Sequence, residues 1–271
     1  KDIYPGTSNS YPTRLAVLND IAYFYASDGV NGTEIWKSDG TTGGTVMVKD
    51  IYPGSGSSSP DKFFVFNSAV YFVASTSSAG RELWKTDGTE VGTVLVKDIS
   101  TGVFCSNPDY FAISNSTLFF TATTTGEGTE LWKSDGTTGG TVMVKDIYAG
   151  YQSSNPYSLT DFSGTLIFAA ATAASGTELW KSDGTSGGTV LLKEIRAGAT
   201  GSSIGSFGLL NGKLYFSAND GTNGTELWET DGTTVGTSMV VDIYSGSSSS
   251  NPAFFTLLNG LIKYFLEMAI L

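Results

Sequence analysis

Five tryptophans stand at Trp36, Trp84, Trp132, Trp180 and Trp228, each 48 residues after the one before. A fixed period of this length constrains the fold more than any other feature of the chain. Each unit must be one supersecondary structure that buries its apolar faces against copies of itself. The text around the tryptophans recurs in phase, from Glu34-Ile35-Trp36-Lys37-Ser38-Asp39-Gly40 to Glu226-Leu227-Trp228-Glu229-Thr230-Asp231-Gly232. A second block keeps the same step: Asp2, Asp50, Asp98, Asp146, Glu194 and Asp242 each precede Ile. Residues 37–54 and 133–150 differ only at Pro53 against Ala149, so the copies are recent duplicates.

Each unit reads as four short strands. In the second copy these are Phe63–Phe66, Val70–Ala74, Glu82–Lys85 and Thr93–Ile99. Asn67-Ser68 separates the first two, and other copies carry Asn211-Gly212 or Asn259-Gly260 there, a strong hairpin signal. A Ser-, Gly- and Pro-rich connector ends the unit, and no stretch holds a helical period. Four antiparallel strands per repeat, apolar on both faces, predict an all-β fold, a β-propeller of four-stranded antiparallel blades. The expected organisation is a single domain over 1–271, with units at about 12–59, 60–107, 108–155, 156–203 and 204–251. Residues 1–11 and 252–271 form a partial sixth unit. Either five blades close with the ends sharing a composite sheet, or a sixth blade is assembled from 252–271 and Lys1-Asp2-Ile3, or the incomplete sheet pairs with another subunit, an unpaired edge being open to strand addition.

The Glu-Leu-Trp-x-x-Asp-Gly-Thr blocks at 82–89, 130–137, 178–185 and 226–233, with Ile35 varying the first, resemble the bacterial ELWxxDGT repeat. The resemblance covers residues 1 to about 260. It implies a propeller-like part of a large secreted or surface-attached bacterial protein, mostly without an assigned activity. Unit length and copy number are also similar to those of five-bladed lectins that bind amino sugars, without a shared residue motif.

Composition removes other classes. The chain has no histidine, which excludes a Ser-His-Asp triad and His-ligated metal. A single cysteine, Cys105, excludes an intrachain disulfide and Cys-rich metal sites. The net charge of −11, with no basic run, argues against nucleic acid. No apolar run is long enough for a membrane span, and no signal peptide is legible in the first residues, which read as mid-repeat sequence. Ser, Thr and Gly abound because every unit needs turns and a long connector.

Candidate sites repeat with the unit. The tryptophans could stack on sugar rings, but mid-strand aromatics read as core. Asp39, Asp87, Asp135, Asp183 and Asp231 precede Gly in a turn, where they could bind calcium or cap backbone N–H groups; without Asp-x-Asp spacing, capping is the reading. The extra acids Asp28 and Asp220 occur in only two copies. Glu34, Glu82, Glu130, Glu178 and Glu226 are expected to pair with Lys37- or Lys49-type residues or with connector hydroxyls, rather than to form a glycosidase pair. Asp50, Asp98, Asp146, Glu194 and Asp242 should accept bonds from connector Ser or Thr, or form a ring that holds a cation. Asn31, Asn115 and Asn223 lie in glycosylation triplets, and Cys105 reads as incidental.

The expected protein is therefore a non-enzymatic extracellular or cell-surface module of structural or adhesive function, self-associating through its terminal partial blade. It needs no cofactor and no metal. A multivalent carbohydrate-binding propeller, with glycan as partner, is the alternative.

Overall fold

A computed structural model describes residues 1–258 and 261–266. The fold is all-β and of the β-propeller class, with five four-stranded antiparallel sheets, each with its strands in chain order. No helix occurs among the described residues. The second sheet shows the pattern, with strands Asp61–Phe66, Ala69–Thr76, Gly80–Thr86 and Val94–Lys97. Its first hairpin turns at Asn67 and Ser68 with φ of 45° and 58°, the double left-handed geometry that matches strand twist. In the fifth sheet Asn211 and Gly212 do the same at 48° and 73°.

The chain divides into two compact units. One comprises Lys1–Asp109, Ala122–Thr125 and Ser134–Val142; the other comprises Tyr110–Thr121, Gly126–Lys133 and the residues from Met143 on. The first unit holds the first and second sheets, the second holds the fourth and fifth, and the strands of the third contribute to both.

One packing rule operates inside each unit. The third strand carries apolar residues on opposite faces, because neighbouring side chains in a strand point opposite ways. In the first unit Ile35, Val48 and Ile51 of the first repeat pack on Phe72, Ala74 and Trp84 of the second. In the other unit Leu131, Val144 and Ile147 meet Phe168, Ala170 and Trp180, and Leu179, Leu192 and Ile195 meet Phe216, Ala218 and Trp228. Within a sheet the tryptophan also pairs across strands with phenylalanine, as Phe72 with Trp84 and Phe216 with Trp228. Burial of an apolar side chain of this size contributes about 1.5–3 kcal/mol, so the repeated seam is the main source of stability.

Pro252–Leu258 and Leu261–Leu266 form a two-stranded sheet. Lys1-Asp2-Ile3, expected to extend it as a composite blade, forms no strand. Ile3 instead packs with Phe24, Ala26 and Trp36, the part that Ile51 plays for the next repeat. Asn259-Gly260 and residues 267–271, on which the expected terminal self-association also depends, lie outside the described residues.

Candidate functional site

The buried carboxylates organise each repeat. Glu34, Glu82, Glu130, Glu178 and Glu226 are all fully buried. Glu82 Oε2 accepts hydrogen bonds from Ile99 N at 3.1 Å and Ser106 Oγ at 2.5 Å, while Oε1 accepts from Ser106 N at 2.8 Å. One side chain therefore grips both ends of the connector that leaves its sheet. The same grip recurs at Glu34 on Ile51 and Ser58, at Glu130 on Ile147 and Ser154, and at Glu226 on Ile243 and Ser250. Glu178 departs slightly, accepting from Ile195 N at 2.8 Å and Arg196 N at 3.2 Å. Burial pushes the carboxyls of Glu34, Glu82, Glu130 and Glu178 up from their ordinary value, against the opposing effect of these hydrogen bonds. The connector-hydroxyl reading thus finds its partner in Ser58 and its copies, whose in-phase recurrence 24 residues after each Glu was the available signal.

The expected lysine partners are corrected. Lys37, Lys85 and Lys133 donate to the carbonyls of Gly88, Gly136 and Gly184, each at 2.8 Å. Lys49 donates to Thr93 O at 2.9 Å and Lys145 to Thr189 O at 2.8 Å. A flexible ammonium reaches the carbonyls of turn residues in the next repeat through part-buried bonds, rather than entering the fully buried pocket around Glu, which would desolvate it further.

The Asp-Gly turns are closed by their own side chains. Asp87 Oδ1 accepts from Thr89 N at 2.8 Å and Thr89 Oγ1 at 2.7 Å, and Thr89 Oγ1 accepts from Gly92 N at 2.9 Å. A Cβ at Gly92 would stand 2.1 Å from Asp87 Oδ1, so a larger residue there must displace the capping carboxylate. Asp39, Asp135, Asp183 and Asp231 repeat the arrangement. The threonine donors hold the carboxyls of these five aspartates below the usual range. Asp28 and Asp220 cap their own loops, accepting from the backbone and side chain of Asn31 and Asn223.

At Asp50 and its copies the expected hydroxyl donors are replaced by a glycine amide. Asp50, Asp98, Asp146, Glu194 and Asp242 accept from Gly54, Gly102, Gly150, Gly198 and Gly246 at 3.0–3.2 Å, four residues on in each case. Gly54 has φ of 89°, which brings its N–H back towards the acid. No cluster of three or more acidic or cysteine side chains able to hold a metal occurs among the described residues, so the ring reading is not realised there.

All five tryptophans are buried, at 6–8% exposure, and Trp84, Trp180 and Trp228 lie in the seams between neighbouring sheets. Their rings are unavailable for stacking on sugar. Asn31 and Asn223 spend their Nδ2 groups on the neighbouring aspartates and Asn115 on Gly164 O. Cys105 is exposed and unpaired with another cysteine.

One place is not repeated. Arg14, Tyr25, Thr33 and Ser59 of the first repeat and Pro60, Asp61 and Arg81 of the second line a cavity of about 320 Å³. Arg14 Nε lies 3.2 Å from Asp61 Oδ1, and Arg81 Nη2 lies 3.9 Å from Oδ2. Arg81 Nη1 donates to Ser59 O at 3.0 Å. Sequence reasoning passed over these residues, although aligning the copies singles them out. The positions equivalent to Arg14 hold Lys62, Tyr110, Ser158 and Ser206, and those equivalent to Tyr25 hold Val73, Thr121, Ala169 and Ser217. Every position equivalent to Arg81 holds threonine, at Thr33, Thr129, Thr177 and Thr225.

No family model matches the chain, and no curated protein matches it. Among solved structures it is similar to a prolyl endopeptidase, with TM-score 0.54 and 12% identity, over 94% of this chain and 39% of that one. It is also similar to a puromycin hydrolase (S511A mutant, complexed with PGG), with TM-score 0.49 and 14% identity over 94% and 43%. Oligopeptidase B from Leishmania major gives TM-score 0.48 and 11% identity over 86% and 33%. The chain therefore spans about two fifths of the endopeptidase it resembles. This likeness corrects the expected structural or adhesive function. The propeller fold of this chain recurs in an endopeptidase whose inter-domain dynamics serve catalysis and specificity, and the buried tryptophans remove the stacking surface on which a lectin reading would rest.

Proposed function

We propose that this chain is a peptidase-associated propeller, a scaffold unit that works with a catalytic part it does not itself contain. The carrying observation is the shared propeller fold with a prolyl endopeptidase over 94% of this chain and only 39% of that one. The residue chemistry agrees with a division of labour. A chain without histidine offers no imidazole for acid–base work. Its buried carboxylates are spent on connectors and its turn carboxylates on their own backbone. In this reading the propeller contributes a rigid surface for contact with a catalytic domain or substrate. The resemblance to bacterial ELWxxDGT repeats supports a bacterial source and an extracellular place of action.

The test is to purify the native protein with an antibody against this chain and assay it on a panel of proline-containing peptides. The chain expressed alone is expected to be inactive while the native material hydrolyses peptides. Native material that carries the repeats and cleaves none of the panel would overturn the proposal.

A further inference from the structure

Near-identical repeats provide an internal control, because a side chain needed only to hold one blade against the next should recur in every copy. Arg14, Tyr25 and Arg81 do not recur, yet they converge on one cavity. The chain has only three arginines, the third being Arg196. We propose that this cavity binds an organic carboxylate, with Arg14 and Arg81 holding the acid and Tyr25 and Pro60 packing against its apolar body. The proposal stands independently of the peptidase reading.

The electrostatics favour an anion. Two guanidinium groups share the single carboxylate of Asp61, which leaves the cavity with a net positive charge on a chain of net charge −11. Arg81 is preoriented by Ser59 O and its side chain is only 25% exposed. Arg14 is engaged through Nε alone and its side chain is 62% exposed, so its terminal nitrogens can turn to a ligand. A planar guanidinium matches a carboxylate in two parallel hydrogen bonds, and two converging guanidinium groups fix its plane.

Local backbone explains how Arg14 is aimed. The pairing of the first two strands slips between Thr13 and Ala16, and Arg14 sits in the bulge with φ of 58°. A bulge bends the strand and redirects one side chain. The same bulge in the second sheet directs Lys62 to Asp109 at 2.9 Å. That pair shows what the position does when it only ties neighbouring repeats: one lysine and one aspartate suffice. A second cation at position 81 and an aromatic at position 25 exceed that need. A further cavity of about 400 Å³ is lined largely by repeated turn residues such as Lys85, Asp87 and Gly92, which are already bonded within the scaffold.

The test uses the whole chain in calorimetric or NMR titration with N-acetyl-phenylalanine, its uncharged amide, inorganic phosphate, and a short peptide with a free terminal carboxylate. The acid is expected to bind at least about tenfold more tightly than the amide, because hydrogen bonds to a charged group are the strong ones. Arg81→Thr and Arg14→Ser install residues that other copies carry, so folding should be kept. Each should weaken acid binding about tenfold or more while leaving the melting curve in place. Equal affinity for acid and amide, undiminished binding by the double variant, or no binding of the acid would overturn the proposal. Phosphate binding as tight as the acid would overturn the organic part. Tighter binding of the free-carboxylate peptide than of N-acetyl-phenylalanine supports it and identifies a peptide terminus as the source of the carboxylate.

Discussion

At the scale of residues, the buried glutamates are the most demanding element of the chain. Replacing Ser106 by alanine removes one donor to Glu82 and should cost about 1.5–3 kcal/mol in urea unfolding, the range for a hydrogen bond to a charged group. Glu82→Gln should cost at least as much, since its amide nitrogen cannot accept from Ile99 N or Ser106 N. These glutamates also set the pH response. Burial raises the carboxyls of Glu34, Glu82, Glu130 and Glu178 above 4.5, so the folded chain holds more protons than the unfolded one across that interval. Their contribution is fully present below the unfolded value and is lost as pH rises through the folded one. The turn aspartates act oppositely. Threonine hydrogen bonds lower Asp39, Asp87, Asp135, Asp183 and Asp231 below 3.8, so their contribution is present above that value and is lost as pH falls through the depressed ones. The unfolding midpoint should climb as pH is lowered from neutral towards the aspartate range and then drop. A monotonic fall from neutral pH downward would contradict the assignment. Glu82→Gln should flatten the climb.

At the scale of elements, each blade is held by close approaches that only certain residues permit. Gly80 opens the third strand of the second sheet with φ of 61°, and a Cβ there would stand 2.1 Å from Phe104 O. Gly32, Gly128 and Gly224 meet their own connectors in the same way. Gly80→Ala should destabilise by more than about 1 kcal/mol, combining a left-handed backbone with a backbone clash, and denaturant titration would show it. Trp84→Ala should cost about 3–5 kcal/mol, as expected for an aromatic lost from a packed seam. Strand number, turn positions and the core role of the tryptophans were legible because periodicity and Asn-Gly or Asp-Gly pairs act locally. The partner of each glutamate was legible only as a class, since a residue 24 positions away meets it through a connector whose path depends on packing. The lysines differ from expectation for a related reason: opposite charge points to glutamate, whereas the cost of desolvation keeps them on turn carbonyls. Arg14, Tyr25 and Arg81 depart from the repeat at scattered positions, and only the fold brings positions 14, 25 and 81 together.

At the scale of the whole molecule, what repeats builds the scaffold and what breaks the repeat builds the site. The propeller fold is shared with a prolyl endopeptidase, over 94% of this chain and 39% of that one. Four matching glutamate grips with a variant at Glu178, five aspartate turns and five buried tryptophans leave these repeated positions committed to structure. Recognition then falls to positions that differ between copies, and three of these, Arg14, Tyr25 and Arg81, meet in one cavity. The most direct test of this division is the stoichiometry of carboxylate binding, measured by calorimetry on the whole chain at saturating ligand. The account expects one site per chain, lost in the Arg14→Ser, Arg81→Thr double variant; four or five equivalent sites, unaffected by that variant, would show that the repeated positions are the binding surface.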